Sequence, residues 1–328
     1  MKKFEVVTVG SALKDIMFYS DDVFVVKNKN INKIKKTPEL LAMEYGAKFL
    51  VDNIHINYGG GAMNVAVGLN NFGIKTAPYI SIGKDQVGRE IFEYLRSKKI
   101  SPSLIHTTSN HKTGFSIIIT AEKDREHTIF SFKGASDYLR VSGLSQFRTD
   151  WFYVASLTNK EWEVDFERIG RQSKRGTKIA WNPGSMQLKE YLQMKRLMKF
   201  VDLLILNKSE ARNLVSKIKK LKACKKVDDP KYLLHELQGL GAKKVVITEG
   251  SKGVKAIDEK QKFYYYPAKS IKKRVVDTVG AGDSFASGLM AGLVRWDDFD
   301  KALQLGLKNS ASVLYQVGAQ NGLLEIKL

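Results

Sequence analysis

The residues with the clearest chemical purpose lie in Asp277-Thr278-Val279-Gly280-Ala281-Gly282-Asp283-Ser284-Phe285, where a small-residue turn, a carboxylate and a helix start fall together. A turn of this kind leaves backbone N–H groups unpaired. The positive end of the helix dipole makes them attractive to a phosphate or to a developing negative charge. Asp283 reads in two ways. As a general base it needs an ionised carboxylate within reach of a hydroxyl, whereas as a helix cap it would only bond the first free amides. Helix-end amides favour the ionised form, so the two roles are compatible.

A second glycine cluster stands far upstream, at Tyr58-Gly59-Gly60-Gly61-Ala62-Met63-Asn64. Consecutive glycines let a bound molecule come against bare backbone, and the Asn64 amide both donates to and accepts from sugar-type hydroxyls. The plainer reading is a flexible turn before a packed helix. Two common phosphate motifs are excluded on single positions. Gly68 to Gly73 has P-loop spacing, but Ile74 separates the second glycine from Lys75. Gly280-Ala281-Gly282 opens like a dinucleotide fingerprint, but Phe285 stands where the third glycine or alanine belongs.

Together the clusters resemble the two signatures of the ribokinase family, the PfkB carbohydrate kinases. Gly59-Gly60 with Asn64 and the helix to Gly73 match the N-terminal signature, and Asp277-Thr278 with Gly280-Ala281-Gly282-Asp283 the C-terminal one. Other pieces are similar to family segments, in the family's order, from roughly residue 4 to 322. They are Val9-Gly10-Ser11 with Asp15, Ile82 to Gly88, Asn207-Lys208-Ser209-Glu210, Thr248 to Gly253, and Gly318-Ala319.

The resemblance implies an α/β, ribokinase-like fold: a central, mostly parallel sheet flanked by helices, with a small β-sheet lid. One kinase domain would fill residues 1–328, with the lid from about 17–57 and 110–133. It implies transfer of the ATP γ-phosphoryl group to an alcohol, with Asp283 as base and the Gly280, Ala281 and Gly282 amides stabilising the transferred group. Asp15, Gly59, Gly60 and Asn64 would hold the acceptor. Asn207, Glu210, Thr248, Gly250, Ser251 and Gly253 would serve the nucleotide, with Mg²⁺ met at Glu210 through water. A potassium-like ion is implied near Asp277 and Val279, and a homodimer through the lid.

Several of these residues also carry plainer readings. Asp15 equally suits a solvated loop. Asn207 followed three residues later by Glu210 fits a helix capping pair. Leu13 lies where ribose-specific relatives carry a polar residue, and Ser156-Leu157-Thr158 lacks the carboxylate they place there. A strict ribokinase is therefore disfavoured. A small sugar is the preferred acceptor and a nucleoside the alternative; a non-catalytic sugar or nucleotide sensor is a further reading.

The elements needed to position these residues are also legible. Strand-like runs at Phe4–Val9, Trp151–Ala155, Lys178–Trp181, Leu203–Leu206 and Lys244–Thr248 alternate with helix-like stretches at Glu161–Arg171, Leu188–Phe200 and Tyr232–Leu240. This is the pattern of a parallel sheet with crossover helices. Phe285, Leu289 and Leu293 recur at helical spacing, with Gly288 and Gly292 permitting close packing. Gly114–Thr120 and His127–Phe132 read as a hairpin around Glu122 to Arg125.

Composition bounds the remaining classes. The chain of 328 residues is 43% hydrophobic, enough for a sizeable core, and no run approaches the length of a membrane span. Its single cysteine, Cys224, excludes an internal disulfide, and a cytoplasmic setting is expected. The net charge of +20 raises nucleic-acid binding, with clusters at Lys27, Lys29, Lys33, Lys35, Lys36 and at Lys217, Lys219, Lys220, Lys222, Lys225, Lys226. Neither cluster carries interleaved aromatics for base stacking, so solvated lysine faces are expected, with no nucleic-acid or membrane partner.

Overall fold

The computed structural model describes residues 2–28, 39–121, 127–219, 225–269, 275–326 and 328. Its strands in chain order are β1 Lys2–Val9, β2 Leu13–Ser20, β3 Phe24–Lys27, β4 Glu39–Ala42, β5 His55–Gly59, β6 Thr76–Gly83, β7 Ile105–Thr108, β8 Thr113–Ala121, β9 His127–Gly134, β10 Phe147–Val154, β11 Lys178–Trp181, β12 Leu203–Asn207, β13 Lys244–Thr248, β14 Val254–Ile257 and β15 Phe263–Tyr266. The helices are α1 Gly61–Asn71, α2 Gln86–Ser97, α3 Trp162–Gly170, α4 Ser185–Lys189, α5 Tyr191–Leu197, α6 Lys208–Ile218, α7 Pro230–Gln238, α8 Ala281–Trp296 and α9 Phe299–Val313.

Apolar runs without alternation become strands buried on both faces. They assemble a 9-stranded sheet in the order β15-β14-β13-β12-β11-β10-β1-β6-β7. Pairing is parallel from β13 to β7, and β14 and β15 close one edge antiparallel. One face carries a core around Trp162, Phe166 and Trp181, and the other a core around Tyr153, Phe285 and Leu289. On that second face α8 packs against α9 at glycines. A Cβ on Gly292 would lie 2.6 Å from the Ala302 Cα, and one on Gly288 would lie 2.9 Å from the Leu305 carbonyl.

A separate 4-stranded sheet has the order β5-β2-β8-β9, with β2 and β8 parallel and both outer pairs antiparallel. Register puts Asp15 opposite Ser116, and Ser116 opposite Ser131, so these three share one face of the sheet. Residue alternation then turns Ile56, Phe115, Phe130 and Phe132 to the opposite face, where they are 40–56% exposed.

The expected strands and hairpin form as read, with the hairpin tip, 122–126, outside the described residues. The expected helix Leu188–Phe200 is instead split between α4, α5 and a 3₁₀ turn. Glu190 leaves helical geometry at the break, and its carboxylate accepts a 2.7 Å hydrogen bond from the Trp162 indole N–H. Of the lysine clusters, Lys29, Lys33, Lys35, Lys36, Lys220 and Lys222 lie outside the described residues. No helix among the described residues is long and apolar enough to cross a membrane.

Candidate functional site

The two glycine turns meet. Asn64, in the first turns of α1, donates its side-chain N–H to the Asp283 carboxylate of α8 at 2.8 Å, across 219 positions of sequence. Asp15, Gly60, Gly61, Asn64, Gly280, Ala281, Gly282 and Asp283 line one cavity of about 300 Å³ beneath the four-stranded sheet. Gly59 adjoins it, and a Cβ there would lie 2.0 Å from an Asp15 carboxylate oxygen.

Asp283 is not a helix cap. The N-cap of α8 is Gly280, at φ +78, and no side chain caps this end. That conformation suits glycine because an added Cβ would also lie 2.3 Å from the Ala319 Cβ. Ser284 Oγ donates to the Gly280 carbonyl at 2.8 Å. Asp277, buried just upstream, accepts from the Val279 N–H at 2.9 Å and from the Gly318 N–H at 2.9 Å. The turn is thereby tied to the Gly318-Ala319 loop, and its residues Thr278 to Gly282 line the cavity, with the Ala281 N–H bonded back to the Thr278 carbonyl at 3.3 Å.

Both carboxylates in the cavity are shifted. Burial raises Asp283 to about 6, moderated by the Asn64 hydrogen bond. Burial likewise raises Asp15 to about 6, with the Ser116 hydroxyl and the Lys133 charge pulling down and the Asp283 charge pushing up. A group titrating just below neutrality is ionised at pH 7 yet basic enough to take a proton. Asp15 is a buried strand residue of β2, which removes its solvated-loop reading.

Asn207 ends β12, as the apolar run predicts, and Glu210 lies in the first turn of α6 directly after it. Their capping box is present: Asn207 accepts from the Glu210 N–H at 2.9 Å, and Glu210 accepts from the Asn207 N–H at 2.9 Å. Thr248 ends the adjacent β13, and Gly250, Ser251 and Gly253 form the turn into β14. None of these six lines the 300 Å³ cavity. Buried Tyr153, near the end of β10, lies within electrostatic reach of both Asp283 and Glu210, and burial first and these charges second push its hydroxyl up.

Three features escaped the sequence reading. Ser116, Ser131 and half-buried Lys133 face the cavity from β8 and β9. Glu249, its side chain only 2% exposed, sits between Lys208 at 2.7 Å and Lys255 at 2.8 Å. Burial alone would raise this carboxyl, but the lysine hydrogen bonds hold it below the ordinary range. Gln320 and Tyr94 bond towards Asn64. The hairpin alternation Phe130-Ser131-Phe132-Lys133 was the available signal for the first group; the rest arise from long-range contacts that spacing does not encode.

The profile described as pfkB family carbohydrate kinase matches residues 20–326. The chain belongs to that family. It is accordingly an ATP-dependent carbohydrate kinase by class. The chain is 23% identical to the ATP-dependent 6-phosphofructokinase of Thermoanaerobacterium thermosaccharolyticum, over 97% of this chain and 90% of that one. It is 28% identical to the ribokinase of Haemophilus influenzae, over 83% of this chain and 85% of that one. Among solved structures, the nucleoside kinase of Burkholderia thailandensis in complex with inosine matches with a TM-score of 0.77 at 18% identity, covering 97% and 94% of the two chains. The fold of this pfkB-family kinase is thus ribokinase-like: a large, mostly parallel sheet with helices and a smaller second sheet.

Proposed function

We propose that this kinase phosphorylates a hydroxyl of a small sugar, with Asp283 as general base. The observation that carries the reading is the Asn64–Asp283 hydrogen bond, which joins the two glycine turns at one cavity wall. The acceptor lies under the four-stranded sheet as a lid, its hydroxyls met by Asp15 and Asn64 and its approach to bare backbone allowed at Gly59 and Gly60. The Asp283 carboxylate takes the acceptor proton as the acceptor oxygen bonds to the γ-phosphorus. The bond from that phosphorus to the β–γ bridging oxygen breaks, and ADP leaves. The Gly280, Ala281 and Gly282 turn faces the charge spread over the equatorial oxygens.

ATP would run along the carboxyl ends of β12 and β13 past Asn207, Thr248, Gly250, Ser251 and Gly253. Mg²⁺ would supply charge neutralisation for the phosphates and would need few protein ligands, because it keeps several waters. Half-buried Glu210, with one carboxylate oxygen on the Asn207 N–H, fits a water-mediated role. A potassium-like ion at the 277–279 and 313–322 loops would be held by backbone oxygens around Asp277 and Val279. The setting is cytoplasmic, where ATP is supplied.

A nucleoside is the second acceptor, since its ribose presents the same hydroxyls to Asp15 and Asn64. An ADP-release screen over pentoses, hexoses, their monophosphates and nucleosides, with Mg²⁺ and K⁺, separates the two. Turnover on an uncharged sugar supports the first reading and preference for a nucleoside the second. ATP binding with no acceptor turned over would leave a sensor.

The lid's outer face is apolar and solvent-exposed, the reverse of an ordinary sheet packed on a core. We propose that a second copy covers it. Phe130→Asp is expected to convert a dimer to a monomer by light scattering, and equal masses for both proteins would remove the proposal.

A further inference from the structure

Asn64 has a problem that its neighbours solve. A side-chain amide has a donor end and an acceptor end, and only the donor end suits the Asp283 carboxylate. Turned over, the amide would set its carbonyl oxygen against two carboxylate oxygens. Something must keep it from turning.

Gln320 supplies that constraint. Its Nε2 donates to the Tyr58 carbonyl at 2.6 Å and to the Asn64 Oδ1 at 2.8 Å. A backbone carbonyl only accepts, so the Tyr58 carbonyl fixes which end of Gln320 is nitrogen. The other end, Oε1, accepts from the Tyr94 hydroxyl at 2.6 Å. Tyr94, on α2, packs its ring against that of Tyr58 with centroids 5.1 Å apart. Polarity therefore runs in one direction, from Tyr94 through Gln320 and Asn64 to Asp283, and each link determines the next. Residues from α2, β5, α1, α8 and the 314–326 segment take part.

We propose that Gln320, oriented by Tyr94, is a positioning residue that locks the Asn64 amide with its N–H towards Asp283. Gln320 does not line the cavity, so it acts through Asn64. The proposal rests on the reading of Asp283 as base. The groups facing Asp283 are Asn64 from α1, Asp15 from β2 and Tyr153 from β10, with Lys133 from β9 across the cavity. Their contributions stay fixed when only Gln320 is changed.

The test uses two variants at one site. Gln320→Glu keeps size and shape and still accepts from Tyr94, but its carboxylate cannot donate to Asn64 and draws the Asn64 N–H away from Asp283. Gln320→Leu removes the link without reversing it. With an acceptor found by the screen above, kcat/KM for the acceptor is expected to fall about tenfold to a hundredfold in Gln320→Glu, and less in Gln320→Leu, a scale set by misplaced reacting groups. KM for ATP should not move. The acid limb of the kcat/KM profile should shift to higher pH, because Asp283 loses the donor that lowers it. Tyr94→Phe should give a smaller change of the same kind, and none when added to Gln320→Glu.

A purely structural role predicts the opposite order, with Leu worse than Glu in both melting temperature and activity and an unmoved pH profile. That result overturns the proposal. If instead Asp283→Asn retains full turnover, the base assignment itself fails, and the two failures are told apart.

Discussion

Asp283→Asn should lower kcat by about 10²–10⁴-fold, the usual worth of a positioned general base, while leaving KM for ATP near its original value. The substitution keeps the shape and the acceptor oxygen facing Asn64, so the loss would report chemistry and not collapse of the site. The same variant should be more stable than the parent at neutral pH. Asp283 is raised from 3.8 to about 6 by burial, so its protonated form is the one the fold prefers. Its contribution to stability is whole below 3.8 and is lost as pH rises through about 6. The gain in melting temperature for Asp283→Asn should therefore appear above pH 6 and vanish towards pH 4. In the parent enzyme, kcat/KM for the acceptor should rise with pH through about 6. Asp15 titrates in the same range, so the limb should be steeper than one proton and fall to one in Asp15→Asn. A base that is not Asp283 would leave activity intact in Asp283→Asn and the profile unchanged.

The turn before α8 offers the second large effect, in two neighbouring glycines that should separate folding from transfer. At Gly280 an added Cβ would meet Ala319 at 2.3–2.4 Å, on a backbone at φ +78. Gly280→Ala should cost about 2–4 kcal/mol of stability, from strain and overpacking, and lose activity with it. At Gly282 an added Cβ meets nothing within 4 Å, and the residue is helical. Gly282→Ala should therefore melt at the same temperature or slightly higher, since alanine favours a helix by about 0.5–1 kcal/mol. It should nonetheless lose transfer, because the methyl enters the space assigned to the phosphoryl group. Full activity in Gly282→Ala would displace that group from the turn.

The sequence legibility of this fold followed from physical contrast. Leu203–Leu206 and Lys244–Thr248 were readable because a strand buried on both faces admits few polar residues. The two glycine turns were readable because bare backbone there has no substitute. Strand β2 was not, since Leu13-Asp15-Met17 faces inward and Lys14-Ile16-Phe18 outward, and neither set is distinctly polar. The break at Glu190 depends on a tryptophan 28 positions away. Asn207 and Glu210 show the limit from the other side, as their spacing announced a capping box and the box is what forms. The capping alternative for Asp283 fails because Gly280 is the N-cap of α8, a choice of the turn's backbone that residue types alone do not fix.

Strands β1 and β2 are joined by Gly10, Ser11 and Ala12 alone. Strand β5 likewise passes into α1 through Gly60 alone, so Asp15 sits in a roof held by short joints, whereas Asp283 is built into α8 in the floor. On the proposed reading, any tilt of the roof would change the gap between the two carboxylates, so gripping a guest and delivering it would be a single mechanical event. A catalyst jointed in this way would select among guests by how far each one draws the roof down, as well as by how snugly each one fits.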